Sequence, residues 1–316
     1  MKKIGYLNRL IQDGTFYFSD LILTGIDNGP VVEMNRPEIV QEETCLFHRD
    51  VSRGDQYLQQ LHTLVCERIS SRDPAPVVRF ADGEYAFYAN DLHCNGLYQQ
   101  AESVKAIKKA LPRHMEAMRV LSRTGKMAPL VYPGNTEPLA QGLLSFLKRK
   151  TYNRSALRFI DFLYDHQVSI TGDNYVPFYV VYAYLISREF AEAVDQRRLC
   201  IISSECNAHL CGQWFERLSS KPEIIFIPIP ESYVGTQWQH LREGVMVKIP
   251  SDIEVCLVGA GVGSLPVCVD VAARFSVPAI DAGHVLNLMN GREDKSGGPR
   301  LYTVRKKGKE AAQSKN

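Results

Sequence analysis

The chain has 316 residues, is 45% hydrophobic and 23% charged, and carries a formal net charge of +2. These values are ordinary for a globular protein with a sizeable core, and the charge is too small to imply nucleic-acid binding. The length allows one large α/β domain or two small ones.

Residues 1–48 read as an appendage. Ile4 to Ile11 fits a short amphipathic helix, Thr15 to Leu23 mixes aromatic and β-branched residues, and Asp27 to Glu43 carries prolines and acids that suggest an irregular connection. Such an arm would pack on the main body or on the second subunit of a homodimer. From Gly54 to Ser70, apolar residues recur at helical spacing (Tyr57, Leu58, Leu61, Leu64, Val65, Ile69), and Asp73-Pro74-Ala75-Pro76 ends that helix.

Pro76-Val77-Val78-Arg79-Phe80-Ala81-Asp82-Gly83-Glu84 follows, an apolar strand that stops at two carboxylates. Strands place alternate side chains on the same face, so Asp82 and Glu84 can point the same way, roughly 7 Å apart at the backbone, with Gly83 supplying turn freedom. Two hard oxygen donors beyond the carboxyl end of a strand suit Mg²⁺ or Mn²⁺ held against substrate phosphates. Spelling alone is weak evidence, since roughly four acid-x-acid triplets are expected by chance at this acid content. Asp252-Ile253-Glu254 is the internal control: it precedes its strand, on the wrong edge for a ligand.

Helices are expected over Ser103 to Leu121, Glu137 to Lys148, Ala156 to Asp165 and Val176 to Val194, with strands over Met127 to Tyr132 and Val168 to Thr171. Beyond Leu199 the alternation is regular. Strands at Leu199 to Ile202, Ile224 to Ile229, Val255 to Val258 and Ala279-Ile280 are separated by helices at Asn207 to Leu218, Gln237 to Val245 and Ser264 to Phe275. This pattern argues a Rossmann-like α/β fold, a mostly parallel sheet with helices on both faces, occupying residues 49–292.

Three other strand ends carry candidate chemistry. Gly259-Ala260-Gly261-Val262-Gly263-Ser264 joins a strand to a helix, where backbone N–H groups can receive phosphate. With Asp281 placed 22 residues beyond Gly259, it invites a dinucleotide or S-adenosylmethionine reading, against which stands its position late in the chain. Asp281-Ala282-Gly283-His284 offers acid and base groups near neutral pH, or an ordinary turn with a capping aspartate. Ser203-Ser204-Glu205 adds a further carboxylate, in a composition that capping alone explains. No GxSxG elbow surrounds either serine.

Eight cysteines (45, 66, 94, 200, 206, 211, 256, 268) include no CxxC pair. A zinc site from Cys206, His209 and Cys211 lacks an evident fourth ligand. With no secretory leader or bilayer-length apolar run in the sequence, the expected setting is the reduced cytoplasm, at most the inner face of a membrane. The basic cluster Arg305-Lys306-Lys307-Gly308-Lys309 lies in a tail, residues 293–316, expected to be disordered and able to touch anionic lipid.

Arg-Phe-Ala-Asp-Gly-Glu at 79–84 resembles the RFGDGE-type signature of the GT-D type glycosyltransferases, and Val258 to His284, ending Ala-Ile-Asp-Ala-Gly-His, resembles that family's AIDxGH-containing C-terminal segment. The resemblance spans roughly residues 76–290. It implies a Rossmann-like domain transferring sugar from a nucleotide-sugar, most simply a UDP-sugar, to a glycan, lipid-linked or glycoprotein acceptor in bacterial surface glycan synthesis. It further implies that Asp82 and Glu84 serve metal and donor, with Arg79 nearby and Asp281 and His284 as further site residues. Ala81 stands where glycine is usual, and Val285-Leu286-Asn287-Leu288 lacks the acidic and aromatic residues common there. A non-catalytic module that binds nucleotide-sugar is the remaining alternative.

Overall fold

The computed structural model describes residues 22–26, 29–33, 51–94, 98–99, 101–130 and 155–291. The helix expected over 137–148 and the basic tail lie outside these residues. Within the appendage, the described part is a two-stranded antiparallel ribbon, Ile22–Ile26 against Gly29–Glu33.

The sheet has six strands, all parallel. In chain order they are β1 (Ala75–Phe80), β2 (Lys126–Pro129), β3 (Arg198–Ser203), β4 (Glu223–Pro228), β5 (Val255–Gly259) and β6 (Pro278–Asp281). Their spatial order is β2-β1-β6-β5-β3-β4. Alternate residues feed opposite faces, as the strand period of two requires. Val78, Phe80, Cys200, Ile202, Cys256, Val258 and Ala279 join one core; Val77, Leu199, Ile201, Val255, Leu257 and Ile280 join the other.

Helices α2 (Asp82–Tyr88), α3 (Val104–Thr124), α4 (Ser155–Asp165), α8 (Val234–Met246) and α9 (Ser264–Phe275) pack on the first face. The second is covered by α1 (Val51–Ser71), α5 (Phe178–Leu185), α6 (Arg188–Val194), α7 (Ala208–Arg217) and α10 (His284–Met289). Burial on both faces accounts for the near-continuous apolar strands.

Two expected elements differ. The single helix over 176–194 is two helices, because Ser187 turns its hydroxyl to the backbone. It donates to the Tyr184 carbonyl at 2.7 Å and accepts the Phe190 N–H at 3.2 Å, capping α6 as a new start. Val168 to Thr171 forms no strand. There Asn174 takes the main-chain groups, accepting from Thr171 N–H at 2.9 Å and donating to the carbonyls of Ser169 and Ser122. The control triplet sits at the opposite edge, where Arg198 pairs with Asp252 and Arg197 with Glu254.

One buried polar tether positions the helix carrying Asp82 and Glu84. On α3, His114 occupies the core stripe Ile107, Leu111, His114, Met118, Leu121, spaced by three and four residues. Its Nε2 lies 2.7 Å from the Gly235 carbonyl, which can only accept, so Nε2 carries the proton. Nδ1 therefore accepts from the Tyr88 hydroxyl at 3.0 Å. Thus α2, α3 and α8 are joined by a neutral imidazole of fixed tautomer.

Burial pushes His114 down to about 4, against the pull of the Gly235 bond and with help from the charge of Arg113. A depressed folded-state value means that the unfolded chain binds the proton first. The stabilisation is whole above the unfolded value near 6.5 and is lost as pH falls through 4. The wild type should therefore lose about 3 kcal/mol more stability than His114→Gln between pH 7 and pH 4. Urea melts of both proteins across that window measure the difference, and parallel curves would refute it.

Candidate functional site

The expected site residues all fall at the carboxyl edge of the sheet, on four adjacent strands. Asp82 and Glu84 follow β1, Asp281 and His284 close β6, Gly259 to Gly263 follow β5, and Glu205 follows β3, in the spatial order β1-β6-β5-β3. Between β1 and β6 the chain leaves toward opposite faces, α2 to the first and α10 to the second. That divergence is a topological switch point, the place where the general rule for open α/β sheets puts a ligand crevice.

The crevice floor is an ion pair. Arg79 is 6% exposed and Asp281 5%. Arg79 Nη2 meets Asp281 Oδ1 at 3.1 Å, its Nε donates to the Asp281 carbonyl at 2.9 Å, and its backbone N–H points to Oδ2 at 3.4 Å. The guanidinium carbon lies 4.2 Å from the Tyr182 ring centroid and 5.1 Å from that of Phe178, a cation–π contact with two rings of α5. Burial alone would weaken the guanidinium's hold on its proton, but Asp281, with Tyr182 and Glu84, outweighs it and raises the value. Gly283 is moulded to the same group. Its φ is +42°, and a Cβ there would lie 2.1 Å from Arg79 Nη2, so the position excludes side chains on both counts.

The acid turn is built differently from the sequence expectation. β1 ends at Phe80, and Asp82-Gly83-Glu84 forms the first turn of α2, so the two carboxylates are helical neighbours and not alternate strand residues. The cause is a cap: Glu84 Oε2 reaches back to accept the Ala81 N–H at 2.8 Å, the acid half of a capping box. Asp82 Oδ1 accepts the Gly83 N–H at 3.2 Å. Gly83 is buried within α2, and the left-handed freedom expected of it is not used. Burial pushes the half-buried Glu84 carboxyl up to about 7; the Ala81 bond opposes this, the charge of Asp281 adds to it and Arg79 counters it.

Hard carboxylate oxygens fit Mg²⁺ or Mn²⁺. Among the described residues no third His, Cys, Asp or Glu is grouped with this pair to make a protein cage. A cation here would therefore complete its shell with substrate phosphate and water, the usual mode for Mg²⁺.

The glycine turn is filled from within. A Cβ on Gly259 would stand 2.7 Å from Leu286 Cδ1, and one on Gly263 would stand 2.6 Å from Val234 Cγ1 and 2.9 Å from the Gly235 nitrogen. Those two glycines let α10 and α8 close on the sheet. Gly261, with φ +53°, is the exposed member. His284 opens α10, half-buried, with Nδ1 3.4 Å from the Asn287 side-chain nitrogen. Glu205 is exposed, its backbone bracketed by the Ser203 hydroxyl, which accepts its N–H at 3.1 Å and donates to its carbonyl at 2.6 Å. Cys206, His209 and Cys211, which the sequence left without a fourth zinc ligand, form no cluster of three metal-binding side chains among the described residues.

Three solved structures are similar to this chain. One is a selenomethionine-substituted domain of unknown function 1792, with TM-score 0.46 and 15% identity over 74% of this chain and 83% of that one. Another is that domain described as having a distinct glycosyltransferase fold, with TM-score 0.45, 15% identity and the same two coverages of 74% and 83%. The third is described as a new glycosyltransferase (DUF1792) from Streptococcus sanguinis, with TM-score 0.42 and 14% identity over 72% of this chain and 81% of that one. No family model and no curated protein matches the chain.

Sequence reasoning named Arg79 and Asp281 separately and missed that they bind each other. An arginine inside Val77-Val78-Arg79-Phe80 was the available signal, because a charge in a doubly covered strand needs a partner. The same reasoning missed Gly283, Tyr182 and Phe178, which lie far apart in sequence from Arg79. Asp281→Asn should destabilise the protein by about 3–5 kcal/mol by stranding the guanidinium. Arg79→Met combined with Asp281→Leu should recover part of that loss in urea unfolding, since no uncompensated charge remains. An Asp281→Asn protein as stable as wild type would show that the pair is not what holds this floor.

Proposed function

We propose that the chain is a metal-dependent glycosyltransferase that moves a sugar from a nucleotide-diphospho-sugar, a UDP-sugar in the simplest case, to a glycan or glycoprotein acceptor in bacterial surface glycan synthesis. The observation that carries this reading is the meeting of an acid turn and a His-Asp turn on adjacent strands, either side of one crevice. The motif resemblance at residues 79–84 and 279–284 supports it, because the resembling residues are the ones lining the two walls.

Transfer breaks a glycosidic bond while charge builds on the leaving diphosphate, so cationic or hydrogen-bonding groups must await it. A Mg²⁺ or Mn²⁺ ion held by Asp82 and Glu84 would offset that charge. Asp82 is the rim carboxylate for donor binding, and Glu84 joins it by leaving its cap on Ala81 or by sharing its second oxygen. His284 is the candidate to take a proton from the acceptor hydroxyl, its ring set by Asn287. Asp281 is committed to Arg79 and acts as a positioning group, keeping the two walls a fixed distance apart. The dinucleotide and methyl-donor reading loses its best support, because packing against Leu286 and Val234 accounts for Gly259 and Gly263. No helix among the described residues is long and apolar enough to cross a membrane. Contact of the basic tail with the inner face of a membrane remains part of the proposal.

Thermal-shift measurements with UDP, GDP, NAD and S-adenosylmethionine, each with and without Mn²⁺, test the assignment. A nucleoside diphosphate at 100-fold excess over its Kd should stabilise by about 2.7 kcal/mol, in a Mn²⁺-dependent way. Asp82→Asn and Glu84→Gln should each abolish the Mn²⁺-dependent part. Stabilisation by NAD or the methyl donor, unaltered in those variants, would move the site to the glycine turn. Donor binding with neither hydrolysis nor transfer would leave a binding module.

A further inference from the structure

The first turn of α7 brings two thiols into contact at the same edge of the sheet. Cys206 precedes the N-cap Asn207, whose side chain accepts the Leu210 N–H at 3.1 Å. Cys211 stands at the fourth helical position. These are the two places that a hydrophobic staple joins, which accounts for their contact in the reduced chain. Their Sγ atoms are 3.8 Å apart. Cys206 is half-buried and Cys211 buried, so a reagent meets one thiol first and finds the second behind it.

The pair is wired to α10. Asn290, buried just past the end of that helix, accepts the Asn207 N–H at 2.6 Å and the Cys211 S–H at 3.5 Å on one oxygen, Oδ1. The other described thiols differ. Cys200, Cys256 and Cys268 lie in the core without exposure. Cys66 is half-buried against His62, at 3.7 Å from Nε2.

We propose that Cys206 and Cys211 are a redox-modification site, a dithiol that closes reversibly to a disulfide on reaction with a low-molecular-weight disulfide such as oxidised glutathione. Bonding needs the sulfurs to approach from 3.8 Å to about 2.0 Å. Cys206, carried by the loop from exposed Ser204 and Glu205, is the partner with room to move. The Cys206 thiolate, its proton released to solvent, attacks one sulfur of the small disulfide and expels one thiolate, which takes up a proton. Cys211 then loses its proton and attacks the Cys206 sulfur of the mixed disulfide, expelling the second small thiolate, which is protonated in turn. Two protein thiols are oxidised and one small disulfide is reduced to two thiols. Cys206 is the more exposed of the two thiols, so the first step falls to it, with Cys211 behind it. Closure removes the S–H that Asn290 accepts and ties the Glu205 loop to α7.

The test uses the full chain in a series of oxidised-to-reduced glutathione ratios, with free thiols trapped by iodoacetamide and peptides mapped by mass spectrometry. A Cys206–Cys211 linked peptide should form before any other oxidised species, short of two hydrogens and reversed by dithiothreitol. In Cys211→Ser, Cys206 should stop at the glutathione adduct. Three results in the wild type would each overturn the proposal: a stable glutathione adduct on Cys206 with Cys211 still free, complete alkylation of both at every ratio, or Cys206 joined to a different cysteine. None of these depends on sugar transfer, so the outcome stands apart from the functional assignment.

Discussion

The ion pair between Arg79 and Asp281 is the constraint on which the rest of this edge depends. Main-chain pairing between β1 and β6 ends at Val77 with Ile280. Beyond that point the Arg79 side chain carries the link, through its bond to the Asp281 carbonyl and its pairing with the carboxylate. Each member lies three residues before the start of a helix, Asp82 for α2 and His284 for α10. Fixing the pair therefore fixes where both walls of the crevice begin. The aromatic rings of α5 and the side-chain-free Gly283 complete a cavity fitted to a guanidinium, which makes lysine a poor substitute.

A second tether acts from the flank. The Tyr88–His114–Gly235 chain runs from the end of α2 through α3 to the start of α8, whose Gly235 packs on Val262 of the glycine turn. The acid turn is thus held at one end by the floor and at the other by a neutral imidazole. Both tethers are buried polar groups with satisfied partners, the condition under which such groups give geometric definition. The glycine turn takes part as packing surface.

Local and periodic features were legible in the sequence. The alternation of Val77-Val78, Leu199 to Ile202 and Val255 to Val258 between two cores follows from strand geometry, and α3, α4 and α9 follow from helical spacing. What sequence order could not convey was competition by side chains for backbone groups. Ser187 restarts a helix, Asn174 occupies the groups of a would-be strand, and Glu84 curls back on Ala81 to convert a strand end into a helix start. Position separates the two triplets: Asp82 and Glu84 lie at the carboxyl edge, whereas Asp252 and Glu254 are held by Arg198 and Arg197 at the other. The long-range pairing of Arg79 with Asp281, 202 residues apart, left only an unexplained charge in an apolar strand.

The charges of the crevice bear on why a cation suits the proposed reaction. Arg79 is neutralised by Asp281, so it brings little net attraction to a diphosphate. Asp82 adds negative charge beside the pair, and burial, with the charge of Asp281, disfavours the ionised form of Glu84. Without a counter-ion, a pyrophosphate entering between these walls would meet like charge in a partly desolvated cleft, where repulsion is stronger than in water. On the proposed reading, Asp82 and Glu84 would serve as ligands to a divalent ion, whose charge would favour the ionised form of Glu84 and offset that of the phosphates. An arrangement that disfavours a bare phosphate would thus favour a metal-bound one in the proposed reaction.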